Sequence, residues 1–209
     1  MFRFFLFSFQ IAFICSCGNK TVLEEVKLIP SYPSASGIEK LNNKYYIIGD
    51  DAKNLLILDS SLNAFDSISL FPFSEQRIPK TIKADLESIS LTKDNKLFLL
   101  GSGSLSPYRN TGWLIDPVKK EKQLIHLDTF YKRLELNGIK ELNIEGYCTI
   151  PGGMILANRG NKNYPKNKLI LTTDNFWDNK RDAPISTIAI GTNNDSTKFN
   201  GLPGMCYSN

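Results

Sequence analysis

The sequence predicts an all-β protein, a β-propeller built of four-stranded blades of about 50–58 residues, with three blades and the start of a fourth present. Three observations carry this. One plan of paired strands recurs: "SGIEKLNNKYYIIGDD" (36–51), "ESISLTKDNKLFLLGSGS" (87–104) and "EGYCTIPGGMILANRGN" (145–161). Each copy is followed by two more short apolar segments. Outside the N-terminal leader, no ten-residue stretch has a persuasive helical period.

Taken in order, residues 1–17 read "MFRFFLFSFQIAFICSC", with one cation at Arg3, an apolar run and small residues at the end. The run is shorter than the roughly 20 apolar residues a spanning helix needs and fits the core of an export signal. Its end, Ile14-Cys15-Ser16-Cys17, resembles a bacterial lipobox, with an aliphatic residue three before the cysteine and a small one directly before it. Cys17 is therefore the expected lipidation site, and an ordinary cleaved signal is the alternative. Acyl chains on Cys17 would tether the mature domain to a membrane of a bacterial envelope, facing the periplasm or the surface. Residues 18–34 would form the tether and lead-in.

The propeller would occupy residues 35–209, with blades at about 35–71, 87–128 and 145–190 and a further start at 203–209. In each blade a small or acidic residue precedes a short strand, a turn rich in Asn, Asp, Pro or Gly follows, and a second strand ends in a polar loop. Aligning Gly37, Ser88, Gly146 and Gly204 gives spacings of 51, 58 and 58 residues. The remaining strands are "NLLILDS" and "FDSISLF", then "GWLIDP" and "QLIHLD", then "KLILTT" and "STIAI". "TFYKRLELNGIKEL" (129–142) comes nearest to a helix and is expected to hold one short one. Propellers close with roughly 4 to 8 blades, which hides their edges. A chain with three is thus expected to be a truncated product of a longer gene, with assembly from several copies as the alternative.

Composition narrows function. The formal charge of +4 loses one unit when Arg3 leaves with the leader, and the basic residues are scattered, which argues against nucleic acid. A single histidine, His126, in the alternating "QLIHLD", excludes histidine-rich metal sites and a Ser-His-Asp triad near the channel. "GSGS" lacks the Lys-Ser/Thr ending and following helix of a P-loop. Cys148 and Cys206 fall at the same point of successive units and read as two free buried thiols, although export would permit a disulfide.

In a propeller blade, the loop leading into the first strand and the loop joining the second to the third share one face. Here those loops are the long, chemically varied ones, as binding loops on a rigid scaffold tend to be. They carry Asp50, Asp51, Asp85, Glu87, Ser102, Ser104, Arg109, Glu145, Asn158 and Arg159. Ca²⁺ takes 6 to 8 oxygens at about 2.3–2.6 Å, and Asp50, Asp51, Asp85, Glu87 and Glu145 are the carboxylates that would supply them. The competing reading has Glu87 and Glu145 cap backbone N–H groups or pair with Arg109 and Arg159. Arg109 and Arg159, with Asn158, Ser102 and Ser104, would instead hold a small or anionic ligand by forked hydrogen bonds.

The segments "SGIE…YYIIGDD", "DLESIS…LLGSGS" with "SPYRNTGWLID", and "NIEGY…MILANRGN" resemble an uncharacterised family of bacterial envelope lipoproteins related to the domain called esterase-like activity of phytase. That resemblance implies a β-propeller, ester or phosphoester hydrolysis, and Glu87, Glu145, Arg109 and Arg159 as positions on the first face. Ser36 stands in the first blade where the others have glutamate. Three functions follow as expectations: a membrane-tethered ligand-binding propeller, a Ca²⁺-assisted phosphoester hydrolase, and a scaffold for another envelope protein.

Overall fold

The computed structural model describes residues 26–190. The leader with Cys17, Cys206 and the expected blade start at residues 203–209 lie outside the described residues.

Among the described residues, twelve strands form three four-stranded sheets, each an antiparallel meander in chain order. The first sheet holds β1 (Ala35–Leu41), β2 (Lys44–Gly49), β3 (Asn54–Leu58) and β4 (Ala64–Ser69). The second holds β5 (Leu86–Leu91), β6 (Leu97–Gly101), β7 (Thr111–Asp116) and β8 (Glu121–His126). The third holds β9 (Ile144–Ile150), β10 (Gly153–Asn158), β11 (Asn167–Thr172) and β12 (Ser186–Ile190). The first strands are the inner ones: β5 lies beside both β1 and β9. Repeated four-stranded sheets with their first strands together are propeller-type blades.

The middle blade explains why its strands read as unbroken apolar runs. Successive side chains of a strand point to opposite faces. Leu97 and Leu99 therefore face the first blade, where they join Ile48, Leu55 and Ile57 in one core. Phe98 and Leu100 face the third blade and meet Tyr147, Met154 and Leu156. The far side of the first blade, Ile47, Leu56 and Leu58, is covered by Ile29 and Tyr32 from the lead-in segment. Tyr32 Oη stands 2.9 Å from the Ile47 carbonyl and 2.8 Å from that of Asn54.

Turns on the lower face are tight. Asn42 and Asn43, both at positive φ, close β1 onto β2 as a two-residue hairpin, a conformation asparagine tolerates. One helix, α1 (Asp128–Leu136), follows β8 and buries Phe130, Tyr131 and Leu134 on its inner stripe. Gly138, at φ +89°, ends it in the left-handed conformation that suits glycine, and its N–H donates to the Glu135 carbonyl at 3.0 Å. The long β11–β12 connection, which the sequence marks only as an unusually long turn, turns inward. Phe176 and Trp177 fill the groove between blades two and three, Trp177 stacking on Phe98 at 4.1 Å. Arg133 of α1 clamps the same connection by donating to the Lys180 and Ala183 carbonyls at 3.1 and 2.7 Å.

Candidate functional site

Each inner strand begins with the same irregularity. Ladder pairing skips Ser36 between Ala35 and Gly37, Glu87 between Leu86 and Ser88, and Glu145 between Ile144 and Gly146. A bulge of this kind leaves one residue unpaired and re-aims its side chain. The loop after each second strand then closes over the lead-in by one repeated backbone bond. Asp50 N–H donates to the Ser34 carbonyl at 3.1 Å, Ser102 to Asp85 at 3.0 Å and Arg159 to Asn143 at 2.9 Å. The sequence positions 34, 85 and 143 are thus structural equivalents, as are 50, 102 and 159, and all of them stand on the upper face.

Asp85 is the hub of this face. It holds φ +54°, a left-handed conformation that aspartate adopts more readily than most residues. Its Oδ1 accepts from Lys83 Nζ at 2.7 Å. Its Oδ2 accepts from Ser102 Oγ at 2.6 Å and Arg109 Nη1 at 2.8 Å. Ser104 Oγ, 2.8 Å from Ser102 Oγ, also accepts from Arg109 Nη1 at 2.6 Å. Lys83 Nζ reaches on to Asp50 Oδ2 at 2.6 Å, joining the upper loop of the first blade to the lead-in of the second. Burial would raise the Asp85 carboxyl, but the bonds from Lys83 and Ser102, with Arg109 close by, hold it below the usual carboxylate range. Burial would likewise lower the Lys83 ammonium, and its two carboxylates outweigh that and raise it.

Asp50, Asp85 and Glu87 offer oxygens within 4.8 Å of one another, the geometric minimum for a cation site. Two of the three already share the Lys83 ammonium, and Asp85 is bound by Arg109 as well. The other two expected metal ligands point elsewhere: Asp51 Oδ2 bonds Arg77 Nη1 at 2.6 Å, and Glu145 Oε1 accepts from Asn143 Nδ2 at 2.7 Å and Arg159 Nη1 at 3.3 Å. Three of the five expected carboxylates, Asp50, Asp85 and Glu87, are thus brought together around Lys83, while Asp51 and Glu145 stand apart, each with its own arginine. Glu87 differs from its neighbours. Its carboxyl is pushed up to about 8, chiefly by burial and further by the negative charges of Glu145, Asp85 and Asp50, so it keeps its proton at neutral pH.

The ion pairs expected for the glutamates divide. Arg159 does meet Glu145, but Arg109 goes to Asp85 and leaves Glu87 without a guanidinium. Asn158 is 3% exposed; its Oδ1 accepts the Asn143 N–H at 2.8 Å, so it shapes the loop. Ser102, at 0% exposure, also belongs to the framework. Of the expected ligand-holding groups, Arg159 and Ser104 are exposed, and Arg109, committed to Asp85, keeps partial access to solvent.

Beside the Asp85 hub lies a cleft of about 780 Å³ between the β6–β7 loop, α1 and the segment leading into β9. Ser104, Ser106, Asn110, Lys140, Asn143 and Asn161 are among its walls, and Tyr131 and Leu142 form its floor. Lys83, Asn143 and Lys140 carry no motif. The signal that finds Asn143 is the repeat itself, carried two residues further back from the bulge, where Asp85 stands in the second blade.

By its sheets and their order the chain is a β-propeller-type protein. It belongs to the family of unknown function DUF6929, whose profile matches residues 31–195. No curated protein matches the chain. Solved structures to which it is similar include hydrazine synthase of Kuenenia stuttgartiensis, at 11% identity and a TM-score of 0.45 over 81% of this chain and 39% of that one. Virginiamycin B lyase from Staphylococcus aureus follows at 11% identity and a TM-score of 0.43, covering 78% of this chain and 43% of its own. The Swd1 β-propeller domain of Myceliophteria thermophila stands at 8% identity and a TM-score of 0.38, with coverage of 76% and 39%. The chain therefore spans about two fifths of the length of these structures.

Proposed function

We propose that the protein is a membrane-tethered propeller of the bacterial cell envelope, anchored through a lipid on Cys17, that binds a ligand at the upper mouth of its blades. One observation carries the binding reading: three bulged lead-ins and their partner loops direct polar side chains to one mouth, beside a cleft of about 780 Å³. That volume suits a small-molecule site. Arg159, 45% exposed and only loosely held by Glu145, is a cation within reach of a ligand at that mouth, and Lys140 is another on the cleft wall. A thermal-shift screen of the full-length chain tests this: at least one ligand should raise the melting temperature, and its shift should shrink in Arg159→Ala. A screen in which no ligand's shift depends on Arg159 removes the reading. The anchor has its own test, since Cys17→Ser should move the protein from the membrane fraction to the soluble one.

A second reading, ester or phosphoester hydrolysis of the phytase-related kind, is favoured by Glu87 alone. A carboxylic acid that stays protonated to about pH 8 beside Lys83 has the character of a general acid. Lys83 already neutralises Asp50 and Asp85, two of the carboxylates that would hold Ca²⁺, so in this version Glu87 acts as the acid without relying on the metal. Unchanged turnover of p-nitrophenyl phosphate and p-nitrophenyl acetate in Glu87→Gln would eliminate it.

A further inference from the structure

The walls of the cleft favour one class of ligand. Its charges largely answer one another: Lys132 Nζ pairs with Glu135 at 3.1 Å, Asp128 accepts from Asn110 Nδ2 at 3.2 Å, and Glu141 accepts from Asn161. Three carboxylates stand against two lysines, so a phosphate-rich ligand gains little here. Ser104 and Asn161 are held in bonds to neighbouring protein groups, and what the walls still offer a ligand is the Ser106 hydroxyl and the Asn143 side-chain carbonyl, both neutral, with Lys140 as a donor that makes no ion pair among the described residues.

A second hollow of about 300 Å³ adjoins the first across the exposed ridge of Lys140 and Glu141. Buried Ile139 and Leu142 pin that ridge on either side. The hollow is walled by Tyr164, Pro165 and the stem of Lys168, whose ammonium is tied to the Gly138 carbonyl at 2.7 Å. Tyr164 is 46% exposed and presents an apolar ring with a polar rim, the character of an interfacial aromatic. A polar cleft that continues into a shallow aromatic hollow matches a chain of units that are hydroxylated at the edge and apolar on the face.

We infer that cleft and hollow together bind a neutral oligosaccharide, one sugar unit hydrogen-bonded between Ser106 of the β6–β7 loop and the Asn143–Lys140 wall and the next laid on Tyr164. The inference rests on the upper-mouth binding reading and names its ligand class. Calorimetric titration of the full-length chain with maltotetraose, cellotetraose and chitotetraose is the test, with inositol hexakisphosphate as the anionic probe. At least one tetrasaccharide should bind with a Kd of about 1 mM or tighter, and Tyr164→Ala and Lys140→Ala should each weaken it about tenfold. Both positions are exposed, and unchanged circular dichroism will show that the variants remain folded. Failure of all three tetrasaccharides overturns the inference. If inositol hexakisphosphate alone binds and Arg159→Ala abolishes it, the mouth binds an anion and only the sugar assignment falls. If no probe of either kind binds, both readings fall.

Discussion

Glu87 is the residue on the upper face with the least conventional state, and its chemistry has a measurable sign. An unfolded glutamate titrates near about 4.3, whereas the folded carboxyl titrates at about 8. Between those values the folded chain holds a proton that the unfolded chain has released, so stability falls as pH rises, by up to ~1.4 kcal/mol per pH unit. Urea midpoints recorded from pH 5 to 8 should therefore decline in the wild type and flatten in Glu87→Gln. An equal decline in the variant would assign the effect to another group. The sequence marks Glu87 as a face residue from its place in the repeat, and that placement stands. Its protonation could not be read there, because it arises first from burial and then from the charges of Glu145, Asp85 and Asp50, which approach from three separate segments.

At the scale of elements, the recurring unit is a bulged inner strand locked by the loop that follows its neighbour. Periodicity and turn residues make the strands and the tight turns legible: Asn42-Asn43 is a hairpin signal at first sight. The bulges are not legible, since an extra residue in a ladder leaves alternation looking merely imperfect. Lys83 was hidden for a related reason. It lies in a loop with no pattern, and only folding sets its Nζ between Asp50 and Asp85, in different blades. The Lys83 and Asp85 side chains are 10% and 7% exposed, so this is a largely buried pair. Removing one partner of such a pair leaves uncompensated charge and costs about 3–5 kcal/mol. Lys83→Met should destabilise the chain by that order in urea unfolding, and Arg77→Met, at a 62% exposed side chain, by less than about 1 kcal/mol.

Among the described residues, the two larger of three cores share one wall. The middle blade contributes Leu97 and Leu99 to one and Phe98 and Leu100 to the other. Phe98, fully buried, touches Tyr147, Phe176 and Trp177 across the groove to the third blade. Phe98→Ala should lower stability by about 3–5 kcal/mol. Hydrogen exchange should quicken in β9–β11 more than in β2–β3, and a uniform increase would show that the blades do not open separately. That the fold is a propeller was readable from the spacing of units. The groove filling by Phe176 and Trp177 was not, because an aromatic pair in a polar loop carries no sign of which face it seeks. The positive charge that joins the first two blades is carried on a lysine stem, so it is present at a fixed local concentration however poor in divalent ions the surroundings become. Chelation cannot strip it, and dilution cannot lower it. A protein built this way keeps its upper mouth assembled through changes in ionic conditions that would empty a calcium-linked one.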